Sequence, residues 1–382
     1  MPPRNPDTAM SDYRDRFRMT PGPTEVPDAV RERMAEPMPN PDVEPEFVDF
    51  YRELTEKLET VYGAGRDGAD GRVESDAAVL AGEGILGLEA AVASLVEEGD
   101  GVLCLSNGLY GDGFADFVDA HGGEPVTCEG PWRETLDRDA VAAAIERAAD
   151  AGVEFDVATM VHCETPTGTL NDLEPILDLL AEHDIVSVVD AVSSLGGTPV
   201  PTDRIDVCLG ASQKCFSAPP GLTTCAISDR AWERIEAVET AEYYLDLEPW
   251  RTAVDDGRFP YSHATANLYG LDAALDLLLE EGLDSVFDRH EEAARVCRER
   301  AAELGLETYP ESTADCSPTV TALEVDGNAV ELQEALREDH DVVLATSLAD
   351  LEDDVLRIGH MGHNARVDRV ERTMDALADV RA

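Results

Sequence analysis

The chain carries 29 basic residues, and only Lys57 and Lys214 among them are lysines. Lys214 stands in "GASQKCFSAPPG" (210–221), a small, mostly neutral segment closed by prolines. A primary amine with an accessible neutral form can add to a carbonyl group; an arginine, always charged, cannot. In a chain that otherwise uses arginine for its cations, a retained lysine points to chemistry that needs an amine. Lys57, in "FYRELTEKLETVYG", reads instead as an ordinary surface residue.

Four other groups lie just after runs that read as strands. "GEGILG" (82–87) is a glycine turn opening a helix, which can aim backbone N–H groups at a phosphate, although no Lys-Ser/Thr pair follows as in a P-loop. "SNGLYGDGF" (106–114) supplies an aromatic, Phe114, and "ETPTG" (164–168) supplies the hydroxyls of Thr165 and Thr167. "VVDAVSSLGG" (188–197) supplies Asp190, a carboxylate that enters an apolar interior and so needs a cationic or proton-donating partner. Each also has a plain structural account: a tight turn, a core phenylalanine, ordinary turn chemistry, a helix cap.

The elements that must position these groups alternate. Strand-like 77–82, 101–106, 156–163, 185–190 and 206–212 are interleaved with helical patterns over 86–98, from about Tyr110, over 137–151 and over 173–183. Short apolar strands between amphipathic helices predict an α/β domain with a mostly parallel, doubly covered sheet, and ligands in such folds sit beyond the carboxyl ends of the strands. The texture changes near residue 280. A helix over 285–305, a strand over 319–325, and "VLRIGHMGHNA" before a last helix read as a smaller α+β domain. The division expected is a flexible arm over 1–18, a large domain over 19–275 and a small one over 276–382, with 19–35 able to pack on the small domain.

Composition narrows the partners. With 81 acidic residues the formal net charge is −52, which repels nucleic acid and anionic lipid, and the acids are spread along the chain as a solvated surface would have them. Together with the scarcity of lysine, this resembles proteins of salt-in halophiles. Eight scattered cysteines without a close pair read as buried free thiols, and neither a signal segment nor a membrane-spanning apolar run is seen, so a cytoplasmic protein is expected.

Five weak signals therefore meet at one edge of one sheet. A phosphate turn, a flat aromatic, hydroxyls, a carboxylate and a lysine are together what a pyridoxal 5′-phosphate site needs. The lysine forms the Schiff base, and the carboxylate keeps the pyridine nitrogen protonated so that the ring draws off electrons from the substrate's α carbon.

The order and spacing of these segments resemble the class V aminotransferases of fold type I, above all the alanine–glyoxylate and serine–pyruvate group. The matching segments run from "TPGPT" (20–24) through "GEGILGLEAA", "SNGLYGDGF", "ETPTG", "VVDAVSSLGG" and "GASQKCFSAPPG" to "LRIGHMGHN" (356–364). The resemblance implies that the backbone amides of Gly84, Ile85 and Leu86 take the cofactor phosphate, with Gln213 nearby. Phe114 and Val192 would flank the ring, Thr165 would meet its hydroxyl, Asp190 its nitrogen, and Lys214 would carry the Schiff base and then move the proton. Arg357 would hold the substrate carboxylate, with Pro21 and Gly22 closing over it. The resemblance also implies a homodimer with shared sites, Ser262 and Tyr261 reaching the partner's phosphate.

Three departures are visible. Phe114 stands where many members have Trp, Gly113 where they have a basic residue, and Glu83 would repel a phosphate unless it points away. The activity implied is transfer of an amino group from alanine or serine to glyoxylate or pyruvate in a ping-pong cycle. A desulfurase or lyase, with Cys316 as the loop thiol, is the alternative; a zinc hydrolase built on His360 and His363 lacks a third ligand, and a non-enzymatic binding protein would leave Lys214, Asp190 and Arg357 without a use.

Overall fold

The structure is a computed structural model and describes residues 16–63, 75–240 and 242–382. In chain order the strands are β1 (Phe17–Arg18), β2 (Ser75–Ala81), β3 (Gly101–Ser106), β4 (Glu124–Glu129), β5 (Val157–Val161), β6 (Cys163–Glu164), β7 (Thr169–Leu170), β8 (Val186–Asp190), β9 (Val207–Ala211), β10 (Leu222–Ser228), β11 (Thr321–Glu324), β12 (Val342–Val343), β13 (Ala345–Thr346) and β14 (Val355–Ile358). Seven form the main sheet in the order β2-β10-β9-β8-β5-β3-β4, and β10 alone runs antiparallel to its neighbours. Strands β3, β5, β8 and β9 are buried at every position, as apolar runs covered by helices on both faces must be.

The order places the carboxyl ends of β2, β3, β5, β8 and β9 along one edge, where the ligand crevice of an open α/β sheet lies. The segment after β5 folds into the small β6–β7 hairpin, with Gly168 at φ +72° allowing the turn, so "ETPTG" is held as a tight loop at that edge. This is the α/β architecture with a mostly parallel, doubly covered sheet that the pattern predicts, with β4 and β10 added to the strands expected.

Among the described residues, the two larger hydrophobic clusters organise the chain. The larger extends from Val30 to Val286 and holds the main sheet; the smaller joins Phe17 and Met19 to residues from Ala293 to Leu377 around the antiparallel β11-β14-β13 sheet. Of the arm expected over 1–18, residues 1–15 lie outside the described residues, while Phe17 and Arg18 are not an arm: β1 pairs in parallel with β12, and Phe17 is in the smaller core. The stretch that follows divides between the two clusters. Met19 belongs to the smaller, and its carbonyl accepts the Gly359 N–H at 2.7 Å, whereas Val30 of helix Asp28–Arg33 belongs to the larger core.

Candidate active site

Lys214 enters the crevice from the turn after β9. Its Nζ donates to Pro21 O at 2.7 Å, and Thr24 ties the same N-terminal segment down by donating its N–H to Gln213 O at 3.0 Å. Burial, aided by the Arg357 charge and opposed by Asp190, lowers the Lys214 amine from its ordinary value to about 8. A lysine in that range has a sizeable neutral fraction near neutrality, which a nucleophilic amine requires.

Asp190 ends β8 and is buried, with Val192 N–H donating to its Oδ1 at 2.8 Å. Burial raises its carboxyl to about 6, against the Val192 donor and Lys214; Glu83 pushes the same way as burial. A cationic ring nitrogen would supply the partner that this buried acid needs.

Both residues line one cavity, together with Glu83, Gly84, Ile85, Leu88, Tyr110, Thr165, Val192, Ser193 and Gln213. It encloses about 40 Å³, less than a pyridine ring needs, and the long side chains of Lys214, Gln213 and Glu83 are the parts of its wall that can turn aside. Thr165 and Ser193 hydroxyls are in short contact with each other, and a Cβ on Gly84 would lie 3.0 Å from Val192 Cγ2, so only glycine lets the start of helix Gly84–Leu95 approach that valine without displacement. The buried Oε1 of Gln213 has no hydrogen-bond partner among the described residues. A polar side chain left unpaired at a cavity wall is what a polar ligand would complete; with the amine, the buried acid, the hydroxyl pair and the helix N-terminus, the residues present fit pyridoxal 5′-phosphate in kind.

Two expectations are corrected by packing. Phe114 is fully buried in the larger core and does not reach the cavity; Tyr110, one turn earlier on the same face of helix Leu109–Ala120, does. Leu86 is also not on the cavity. Its N–H donates to Glu83 O at 2.9 Å, which leaves the amides of Gly84 and Ile85 at the helix N-terminus, where no intrahelical acceptor exists.

The remaining residues take places around the cavity. Arg357, on β14, is buried, donating from Nε to Thr346 O at 2.9 Å and from Nη1 to Thr165 O at 3.3 Å; burial lowers it to about 10. Glu83 is exposed and lines the mouth. Tyr261 is committed within its own chain, accepting the Ala81 N–H at 2.9 Å, while Ser262 is exposed, its hydroxyl donating to Asp42 Oδ2 at 2.6 Å.

Residues outside the site also differ from their expected character. Lys57 is not a free surface lysine: its Nζ lies 2.6 Å from Asp272 Oδ1 and 2.5 Å from Asp276 Oδ1, pinning helix Pro45–Tyr62 to helix Thr265–Glu281. Cys316 is buried with Sγ against Ser312 O at 3.7 Å, and burial raises its thiol, the opposite of what a nucleophilic thiolate needs. His360 is buried, its two nitrogens at 2.7 Å from Thr321 Oγ1 and 3.0 Å from Pro318 O.

Sequence reasoning missed Tyr110, Ser193 and Leu88, all of which line the cavity. Tyr110 and Ser193 carried a signal, since both stand in the segments already singled out; Leu88 is one helical turn beyond Gly84 and could have been placed by periodicity.

Comparison with known proteins identifies the family. The family described as Aminotransferase class-V matches residues 143–346. The chain is 34% identical over 332 residues to pyridoxamine–pyruvate transaminase of Mesorhizobium japonicum, covering 85% of this chain and 81% of the relative. The crystal structure of pyridoxamine–pyruvate aminotransferase from Mesorhizobium loti superposes with a TM-score of 0.88 at 31% identity, covering 96% of this chain and 91% of that one. An alanine–glyoxylate aminotransferase from Nostoc sp. superposes with a TM-score of 0.88 at 26% identity, over 100% of this chain and 97% of that one.

Proposed function

Because the chain belongs to the class V aminotransferases, enzymes that use pyridoxal 5′-phosphate, we propose that it transfers an amino group from alanine or serine to glyoxylate or pyruvate at the cavity built around Lys214. The observation that carries this is the meeting of Lys214 and Asp190 on one cavity, the first shifted toward its neutral form and the second a buried acid whose carboxyl burial has raised. When bound, the cofactor supplies an electron sink for the pair left on the substrate's α carbon.

The chain's residues do the rest. Lys214 would attach the cofactor and, once released, would take the proton from the substrate's α carbon and deliver it to the cofactor carbon that had carried the aldehyde, which leaves the amino group on the cofactor. Asp190 would hold a proton on the ring nitrogen, Tyr110 and Val192 would flank the ring, and Thr165 with Ser193 would meet its hydroxyl oxygen. The amides of Gly84 and Ile85, with Gln213, would take the phosphate end. Arg357 presents a planar donor fork to the substrate carboxylate, with Pro21 and Gly22 above it.

We also propose a homodimer, a cytoplasmic location, and a domain boundary inside helix Leu283–Glu303. The exposed Tyr243, Tyr244 and Val43, near the exposed Ser262–Asp42 pair in sequence or space, support the first. Eight free cysteines support the second. Val286 belongs to the larger core and Ala293 to the smaller, which supports a boundary later than 275/276. The desulfurase alternative is disfavoured by the burial of Cys316 away from the cavity.

A second reading of the amino donor is favoured by Glu83. A carboxylate at the mouth opposes a phosphate but accepts a hydrogen bond from an uncharged hydroxymethyl group, and pyridoxamine has that group in the phosphate's place. The name of the Mesorhizobium japonicum relative specifies pyridoxamine and pyruvate. On this reading pyridoxamine enters the same ring site and hands its amino group to pyruvate.

One experiment separates these. The purified protein in concentrated KCl is titrated with pyridoxal 5′-phosphate and, separately, with pyridoxamine plus pyruvate. Visible absorbance retained through dialysis, bleached by alanine or serine and restored by glyoxylate or pyruvate supports the first reading; pyridoxal and alanine formed without added phosphate ester support the second. A protein that binds neither compound, or one whose Lys214→Ala variant behaves as the parent, overturns both.

A further inference from the structure

Helix Leu109–Ala120 begins without a cap of its own. Its N-cap residue is Gly108, in fully extended backbone that any residue can adopt, and no side chain at that position serves the first N–H groups. Those groups are served instead by Glu164, which is completely buried. Gly111 N–H donates to Glu164 Oε1 at 2.7 Å and Tyr110 N–H to Oε2 at 3.3 Å. These are the N2 and N3 donors that a capping side chain ordinarily takes. The reason Gly108 carries no side chain is visible: a Cβ there would lie 2.7 Å from both Glu164 Cγ and Oε2. The cap has been moved from the helix to another strand, and the glycine makes room for it.

The arrangement bears on the site on two sides. Tyr110, held by its own backbone N–H, is the aromatic residue on the cavity, and Thr165, the residue after Glu164, lines the cavity and accepts from Arg357 Nη1 at 3.3 Å. We propose that Glu164 is a positioning residue, a transferred helix cap that sets where the Tyr110 ring stands over the cavity. The inference rests on the reading of that cavity as the cofactor-ring site. Gly168 N–H, donating to Glu164 O at 2.8 Å, holds the hairpin end of the same residue, so one side chain and its backbone link the helix to the "ETPTG" loop.

The test is a double-substitution cycle read on the binding of pyridoxal 5′-phosphate. Glu164→Ala removes the cap, Gly108→Ser drives a side chain into Glu164, and the pair together lets the introduced hydroxyl cap the helix in the vacated space. Each single variant is expected to bind the cofactor about tenfold more weakly, the size of a lost cap expressed as an equilibrium constant, and to lose visible circular dichroism of the bound ring; the double variant is expected to recover most of both. Glu164→Gln, nearly the same shape, serves if Glu164→Ala does not fold: its amide can accept one N–H but turns a donor toward the other, so an intermediate loss is expected. Single variants that melt earlier yet bind with the parent's affinity and dichroism would reduce Glu164 to a stabilising cap and overturn the proposal, as would losses that merely add in the double variant. A parent protein that binds neither pyridoxal 5′-phosphate nor pyridoxamine would overturn the cavity reading itself, whereas a binding parent with indifferent variants overturns this inference alone.

Discussion

Gly22 lies directly against Lys214: a Cβ on Gly22 would come 2.7 Å from Lys214 Cε and 2.9 Å from its Nζ. Gly22 is also at φ +100°, a conformation that side-chain-bearing residues rarely adopt. The N-terminal segment is thus shaped around the lysine, and Gly22→Ala must displace one or the other. Misplacing a reacting group by about 1 Å can cost on the order of a hundredfold in rate. We expect kcat to fall by about that factor while the variant remains folded by circular dichroism; an unchanged kcat would show that the segment does not position the amine.

The Lys214 amine, lowered to about 8, fixes the sign of a pH dependence. Protonation removes the nucleophile, so uptake of the cofactor by the protein stripped of it should speed up as pH rises toward about 8 and level off above. Arg357 is one cause of the lowering, and Arg357→Gln should therefore move the midpoint to higher pH. Stopped-flow absorbance at a series of pH values checks both; a flat profile on either side of that midpoint would contradict them.

Lys57 offers the control for a catalytic lysine. Its ion pairs with Asp272 and Asp276 bind two helices, and Arg33, at 3.5 Å, would be left as the remaining cation near Asp272. Lys57→Ala should lower Tm by a few degrees and leave kcat and KM unchanged at temperatures where it is folded. Lost activity with unaltered Tm would assign this lysine a part in the reaction.

Glu83→Ser replaces a repelling carboxylate with a hydroxyl at the cavity mouth. The variant should bind pyridoxal 5′-phosphate about tenfold more tightly than the parent and pyridoxamine more weakly, a crossing of preferences that equilibrium dialysis can read. Parallel changes for the two compounds would mean that Glu83 faces neither.

A net charge of −52 makes screening part of stability. Raising KCl from about 0.1 M to about 3 M shortens the screening length several-fold, and Tm should rise markedly over that range. A Tm independent of salt would remove the halophilic reading.

Strands β3, β5, β8 and β9 fall within two residues of the runs read from the sequence, because a strand buried on both faces must be apolar throughout. Edge strand β4, with exposed Glu124 and Glu129, and β10, rich in threonine and small residues, were not anticipated. At the site, Lys214, Asp190, Thr165 and Gly84 were legible for a shared reason: each closely follows or ends a strand, so finding the strand places the residue.

The sequence by itself determined five of the main sheet's seven strands, the order of the groups at its carboxyl edge and the chemistry of a lysine retained among arginines, since these depend on local pattern and on what an amine can do. Tertiary structure alone decided which of Tyr110 and Phe114, four residues apart on one helix face, looks into the cavity and which is taken into the core. It alone showed that Lys57 is ion-paired, that the Leu86 amide is engaged, and that Glu164 caps a helix it does not belong to. Those facts arise from side chains meeting across long stretches of chain, where burial and hydrogen bonding choose among partners that local pattern leaves equivalent.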